Sequence, residues 1–63
     1  MTLKERRERA GLLQTDVARK LNVDQSAVSN WERGRSKPAR KYRKPLAKLY
    51  GCSVDELLRG EVR

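Results

Sequence analysis

The sequence predicts a small all-α protein, and three observations lead to that prediction. No segment alternates apolar and polar residues with the period of two that a strand requires. Apolar residues recur instead at helical spacing in short segments, and glycine, asparagine and proline stand where such helices would begin or end. The 63 residues suffice for one domain, residues 1–63, near the lower size limit for folding without disulfides or metals.

Capping patterns divide the chain into five predicted helices. Thr2-x-x-Glu5 is a capping box that opens the first helix, and Gly11 suits a left-handed stop after it. A second capping box, Ser53-x-x-Glu56, opens the fifth helix, which we expect to end near residue 58.

The second and third helices are predicted to lie close together in the chain. The second runs from residue 14 to residue 21, and its N-cap Leu13 has no side-chain oxygen, which costs about 1 kcal/mol. Asn22 follows at a position that requires a left-handed turn. Asp24 is expected to cap the third helix, and Gly34 to end it.

The fourth helix is expected to begin near residues 42–45, because Pro45 is favourable only in a first turn. Gly51 should end it after Tyr50. The predicted core consists of Leu3, Leu12, Val17, Ala18, Leu21, Val23, Val28, Trp31, Leu46, Leu49, Tyr50, Val54, Leu57 and Leu58.

The charge is strongly positive and unevenly distributed. The chain carries a net charge of +8, and residues 34–50 contain seven basic and no acidic residues. Such a segment favours a polyanionic partner, and the alternative is a solvated basic face. It comprises Arg35, Lys37, Arg40, Lys41, Arg43, Lys44 and Lys48.

Composition also excludes several classes of protein. One cysteine and no histidine leave neither an internal disulfide nor a Cys/His zinc site, and we expect no cofactor or small-molecule ligand. The sequence has no paired carboxylates in a plausible cleft and no glycine-rich phosphate loop, so we do not expect an enzyme. Without an apolar run of about 18 residues or a signal-peptide pattern, we expect a cytoplasmic protein.

Residues 14–33 have the requirements of a helix-turn-helix. Two helices are joined by a three-residue turn, residues 22–24, that can adopt a sharp angle. The small side chain of Ala18 permits a close crossing, and the apolar Val28 and Trp31 anchor the second helix. The set of features at these spacings is more specific than any single one of them.

The sequence resembles the phage Cro and repressor family of DNA-binding domains (lambda-repressor-like, Xre-type). The resemblance covers residues 3–58 and rests on "LKERRERAGLLQ", "VARKLNVDQSAVSNWERGRSKP" and "LAKLYGCSVDELL". It implies a compact five-helix bundle whose second motif helix, about residues 25–33, lies in the major groove. The implied function is that of a sequence-specific transcriptional regulator of double-stranded DNA.

The third helix carries uncharged polar residues at the positions expected to face DNA. Amides can bond bidentately to adenine and hydroxyls can donate or accept, whereas lysines would bind all sequences alike. The alternative is an ordinary exposed polar face. The candidate base-reading residues are Gln25, Ser26, Ser29 and Asn30.

Phosphate contacts are expected on both sides of this helix. The resemblance implies that Gln14, at the start of the second helix, reaches a backbone phosphate. Arg35, Lys37 and Arg40 are assigned to the loop that follows the third helix and runs along the backbone in the family. Arg40 is the candidate for entering a narrow minor groove.

Two residues near this helix are interpreted as structural. The resemblance implies that Glu32 points inward and pairs with Arg7 of the first helix. Trp31 is expected in the core by its position, and stacking on a base is the alternative.

One recognition helix reads too few base pairs to find a site in a genome, so we expect a near-palindromic operator and two subunits. The homodimer is expected to be weak and stabilised on DNA, with contacts around Leu57, Leu58 and Val62. Two rival functions remain open. An antitoxin or protein-interaction module would use the same fold, usually with an added toxin-binding segment. A non-specific nucleic-acid binder would not need the uncharged polar face.

Overall fold

The protein consists of five helices joined by short turns and loops. The computed structural model describes the backbone of residues 2–62 and the side chains of residues 2–59. The helices are α1 (Leu3–Arg9), α2 (Gln14–Leu21), α3 (Gln25–Arg33), α4 (Arg40–Tyr50) and α5 (Val54–Val62). Residues 2–62 contain no strand, so the predicted all-α class is confirmed. None of the helices among the described residues is long and apolar enough to cross a membrane.

Both predicted capping boxes are present. The hydroxyl of Thr2 accepts from the Glu5 amide at 3.1 Å, and the Glu5 carboxylate accepts from the Thr2 amide at 2.8 Å. Ser53 and Glu56 repeat the arrangement at 3.1 and 2.9 Å. These backbone hydrogen bonds favour the charged carboxylates, so the pKa values of Glu5 and Glu56 are lowered. The boxes therefore fix where α1 and α5 begin.

The helix ends also follow the sequence. Asn22, Gly34 and Gly51 adopt left-handed conformations with φ of 58°, 77° and 68°. The amide after each of these residues donates to a carbonyl five residues earlier, as in the Val23-to-Ala18 bond of 2.9 Å. This Schellman pattern satisfies carbonyls that a helix end would leave without partners.

The predicted role of Asp24 is wrong in one respect. Asp24 is the N-cap residue of α3, but its side chain makes no capping hydrogen bond. The Ala27 amide, which such a cap would use, donates instead to the Asp24 carbonyl at 3.0 Å. A tight first turn thus replaces the side-chain cap.

The predicted start of α4 is also wrong. The helix begins at Arg40, so Pro45 lies inside it, beyond the first turn. Two contacts hold the earlier start: the rings of Tyr42 and Trp31 lie with centroids 5.7 Å apart, and the Arg43 Nε donates to the Pro38 carbonyl at 3.3 Å. Tertiary packing has therefore outweighed the helix-breaking tendency of proline.

The fifth helix is longer than expected, and its contribution to the core differs from the predicted one. It extends to Val62 rather than ending near Leu58. Leu57 is fully buried, so it cannot serve as the dimer contact assigned to it, and Leu58 is only half-buried. The side chain of Val62 lies outside the described residues.

The core forms where all five helices meet. α1 packs on α3, α4 and α5, while α4 packs on α2 and α5. Most of the predicted core is buried or packed against the buried cluster, and Ala47 and Pro38 are buried in addition. The buried apolar cluster comprises Leu3, Val17, Ala18, Val28, Trp31, Leu46, Ala47, Tyr50 and Leu57.

Candidate nucleic-acid interface

Helices α2 and α3 form a closely packed pair joined by the three residues 22–24. The turn is possible because Asn22 takes the left-handed conformation. Ala18 is 6% exposed and lies in the same buried cluster as Val28 and Trp31, so a small side chain stands where the helices meet. This arrangement holds the opposite face of α3 at the surface.

The four candidate base-reading residues lie on the face of α3 opposite its buried anchors. Gln25 and Ser26, in the first turn, are exposed, whereas Ser29 and Asn30 are half-buried. The N-terminal half of this face is therefore the more accessible half. Trp31 is 7% exposed and packs against Tyr42, which makes it a core residue rather than a base-stacking one.

An ion pair connects α1 with α3. The Arg7 Nε donates to the Glu32 Oε2 at 2.6 Å, and the two side chains are 9% and 6% exposed. The Arg7 Nη2 donates to the other carboxylate oxygen of Glu32 at 3.3 Å, and the Arg7 Nη1 donates to the Leu12 carbonyl at 2.9 Å. The hydrogen bonding of Arg7 to the Glu32 carboxylate, which accepts, raises the pKa of Arg7. Burial, together with the nearby Glu32 charge, raises the pKa of Tyr50 to about 12. The pair thus joins α3 to the loop that leads into α2.

Gln14 connects this ion pair to the exposed face of α3. Its Nε2 donates to the Glu32 Oε1 at 2.9 Å, and its Oε1 accepts from the Gln25 Nε2 at 3.2 Å. The hydrogen bonds run from Arg7 through Glu32 and Gln14 to Gln25. Nothing in the sequence pattern indicated that the candidate phosphate-binding and base-reading glutamines would contact each other.

The basic residues after α3 lie at the surface next to the motif. Arg35 and Lys37 are exposed in the loop between α3 and α4. Arg40 is exposed as well, but it is the first residue of α4 rather than part of the loop, so its assignment to the loop is wrong. Pro38 is almost completely buried and anchors the loop between Lys37 and Arg40.

Tyr42, an aromatic residue inside the basic segment, supports the first turn of α4. Tyr42 contacts the core through Trp31, and the ammonium group of Lys41 lies 5.2 Å from the centroid of its ring. Tyr42 is absent from the core predicted from the sequence, although its aromatic side chain among basic residues indicates a core contact.

The geometry of α2, the turn and α3 corresponds to a known class of domain. A profile described as helix-turn-helix matches residues 3–57. This chain belongs to the lambda-repressor-like helix-turn-helix family. The predicted resemblance and the predicted fold are therefore confirmed.

Two curated relatives within the family are similar to almost the whole chain. The HTH-type transcriptional activator BcrR of Enterococcus faecalis is 36% identical over 59 residues, which are 94% of this chain and 29% of that protein. The HTH-type transcriptional regulator ImmR of Bacillus subtilis (strain 168) is 41% identical over 56 residues, 89% of this chain and 44% of that protein. The chain thus spans less than half the length of either relative. No solved structure matches the chain significantly.

Proposed function

We propose that this chain is a sequence-specific double-stranded DNA-binding domain of a Cro/repressor-type transcriptional regulator. The observation that carries the proposal is the exposed, uncharged polar first turn of α3, held at the surface by the α2–α3 pair. A helix of this kind enters the major groove with its N-terminal residues at the base edges. The naming of both relatives as HTH-type transcriptional proteins supports the same role. The role is one of binding without catalysis.

In this proposal α3 reads the sequence. Gln25 and Ser26 lie nearest its N-terminus and contact the first base pairs of a half-site, while Ser29 and Asn30 follow one turn later. Ser29 and Asn30 are half-buried, so only part of each side chain is accessible to a base. We expect Gln25 and Asn30 to prefer adenine.

Phosphate contacts would then orient the domain and supply most of the affinity. The second amide N–H of Gln14 and the N-terminus of α2 contact one backbone strand. Arg35 and Lys37 follow the backbone on the other side of α3, and the exposed Arg40 extends this line at the start of α4. Arg40 is also the residue proposed to enter an A·T-rich minor groove.

We further propose that two subunits bind a near-palindromic operator, with their recognition helices about 34 Å apart. The charge of +8 on each subunit opposes association in free solution, and DNA reduces this repulsion. The dimer is therefore weak without DNA and is stabilised on it. Leu57 is not part of the contact, because it is buried in the core.

Selection of bound duplexes from a random pool tests the proposal. The expected result is a motif of two inverted half-sites whose centres lie about one helical turn apart. Sedimentation of the complex with a selected duplex should give two subunits per operator. A pool without enriched sequences would contradict sequence-specific binding, and one subunit saturating the full site would contradict the dimer.

A further inference from the structure

A small basic recess lies between α1 and the turn that connects α4 to α5. It has a volume of about 180 Å³ and is lined by Arg6, Arg9, Tyr50 and Gly51. We propose that Arg6 and Arg9 form a binding site in this recess for the phosphate group of a small ligand. The proposal goes beyond DNA binding and replaces the expectation, drawn from the composition, that the protein has no small-molecule ligand.

Arg6 has a buried donor without a partner. The residue is half-buried, and its Nη2 donates to the Glu56 carbonyl of α5 at 3.3 Å. Its Nε is buried and has no hydrogen-bond partner among the described residues. Burial of such a group without a partner is unfavourable. A negative charge next to this guanidinium group would therefore stabilise it.

Neither arginine of the recess forms an ion pair with a described carboxylate. Within the described part of the chain, the ion pair is that of Arg7 and Glu32. The carboxylates of Glu5 and Glu56, on α1 and α5, accept instead from backbone amides in the two capping boxes. The boxes that begin these helices thus leave both guanidinium groups of the recess available to an external anion.

The spacing and chemistry of the two arginines suit a phosphate group. Arg6 and Arg9 are three residues apart on α1, and residues at this spacing lie on one face of a helix. A guanidinium group can bond two oxygens of one anion, and a phosphate group has three acceptor oxygens to share between two such groups. The dipoles of α1 and α4, which both end at the recess, oppose an anion. Each contributes only about half a negative charge, so the two guanidinium charges outweigh them.

The position and size of the recess separate it from the candidate nucleic-acid interface. None of its lining residues belongs to the exposed face of α3 or to the loop after α3. Arg40 and Tyr50, at the two ends of α4, are about 15 Å apart along the helix axis. This distance exceeds the screening length of about 10 Å at an ionic strength of about 0.1 M. The volume is below the roughly 300 Å³ at which pockets for drug-sized ligands begin, so it accommodates a single anionic group.

Titration with inorganic phosphate tests the site, with chloride used to hold the ionic strength constant at a fixed pH. Two-dimensional NMR spectra locate binding through the backbone amides of Tyr50 and Gly51, which line the recess without adding a charge. Phosphate should shift these amide signals to saturation. Acetate should bind more weakly, because a carboxylate has only two oxygens to share. If acetate binds as tightly as phosphate, the assignment to a phosphate group is wrong.

Variants of basic residues on α1 separate the recess from general attraction to a charged protein. Arg6→Gln and Arg9→Gln should each weaken phosphate binding at these amides by about tenfold, as expected for loss of hydrogen bonds to a charged group. Lys4→Gln is the matched control, because it removes the same charge from an exposed residue of α1 that does not line the recess. Its affinity should change by less than about twofold. Circular dichroism establishes which variants are folded, and the exposed Arg9→Gln decides alone if Arg6→Gln does not fold.

The outcomes decide between a site and a non-specific effect. If phosphate shifts the amides of Tyr50 and Gly51 no more than chloride does, or if Lys4→Gln weakens binding as much as Arg9→Gln, the proposal is wrong. Saturation with a DNA duplex should leave the phosphate shifts in place. Their loss would mean that the recess takes a phosphate of the DNA backbone, which contradicts a separate ligand. None of these results requires sequence-specific DNA binding, so the proposed function can fail without affecting this site.

Discussion

At the scale of single residues, the carboxylate of Glu32 is held by hydrogen bonds near the candidate interface. Three donors meet its carboxylate: two nitrogens of Arg7 and the amide of Gln14. A carboxylate that is only 6% exposed needs such partners, because burial of a charge without them costs several kcal/mol. An acidic residue on a helix proposed to bind DNA is thus directed away from the phosphates.

Removal of either member of the ion pair should strongly destabilise the fold. Glu32→Ala or Arg7→Ala leaves a buried charge without its partner, at a cost of about 3 kcal/mol. A domain of this size has about 3–5 kcal/mol in total, so each single variant should be largely unfolded at physiological temperature. Urea unfolding at low temperature measures the losses, and the double variant should be more stable than their sum predicts. Additive losses would show that the two residues do not interact.

At the scale of helices, the sequence predicts boundaries well where a local signal is sufficient. The capping boxes, the left-handed Asn22 and the terminal glycines act within a few residues, and α2 has the predicted bounds. The start of α4 could not be predicted in this way, because it depends on the contact of Tyr42 with Trp31 from another helix. The same holds at the site: the positions of the polar residues were visible in the sequence, but the bonds of Gln14 were not.

Pro45 should weaken α4, because it lies beyond the first turn and has no N–H for the carbonyl of Lys41. The side chain is exposed, so Pro45→Ala removes little packing. The variant should be more stable than the wild type by up to about 2 kcal/mol, since proline costs about 3 kcal/mol in a helix interior and the greater freedom of the unfolded chain offsets part of the gain. Thermal unfolding of both proteins measures the difference. A lower midpoint for Pro45→Ala would show that the proline stabilises the helix start.

The capping carboxylates should make stability depend on acid pH. The pKa of Glu56 is lowered in the folded state by its backbone hydrogen bond to Ser53. Its contribution is fully present above the unfolded-state pKa of about 4.3 and is lost as the pH falls through the lowered folded-state value. Glu56→Gln keeps a capping side chain without a titratable group, so its unfolding midpoint should fall less than that of the wild type between about pH 6 and pH 3. Equal decreases in the two proteins would contradict this contribution.

At the scale of the whole molecule, the charge is arranged around the motif rather than spread evenly. The segment of residues 34–50 follows α3 directly, and its first cations, Arg35 and Lys37, are held near the motif by the buried Pro38. The uncharged polar face of α3 and the basic loop thus offer different chemistry side by side. The proposed division is that α3 supplies sequence preference and the loop supplies affinity.

Binding should therefore depend strongly on salt. If each subunit neutralises about 4 phosphates, a dimer neutralises about 8, and log K should fall with log[salt] with a slope of about −7. Lys37→Ala should make the slope less steep by about 1 for each subunit that loses a contact. Fluorescence anisotropy with a labelled operator at several salt concentrations gives the slope. A slope near −1 would contradict phosphate binding by the basic loop.

The reading of base sequence by exposed side chains of α3 is tested by the ratio of affinities for a selected operator and a scrambled duplex. The wild-type ratio should be at least about 1,000. Gln25→Ala should lower affinity for the operator by about 1–3 kcal/mol and leave the scrambled duplex unaffected, so that the ratio falls. Lys37→Ala, as the matched control, should weaken binding to both duplexes and preserve the ratio. If Gln25→Ala instead weakens both duplexes equally and the ratio is unchanged, α3 does not read the sequence and the proposed function is wrong.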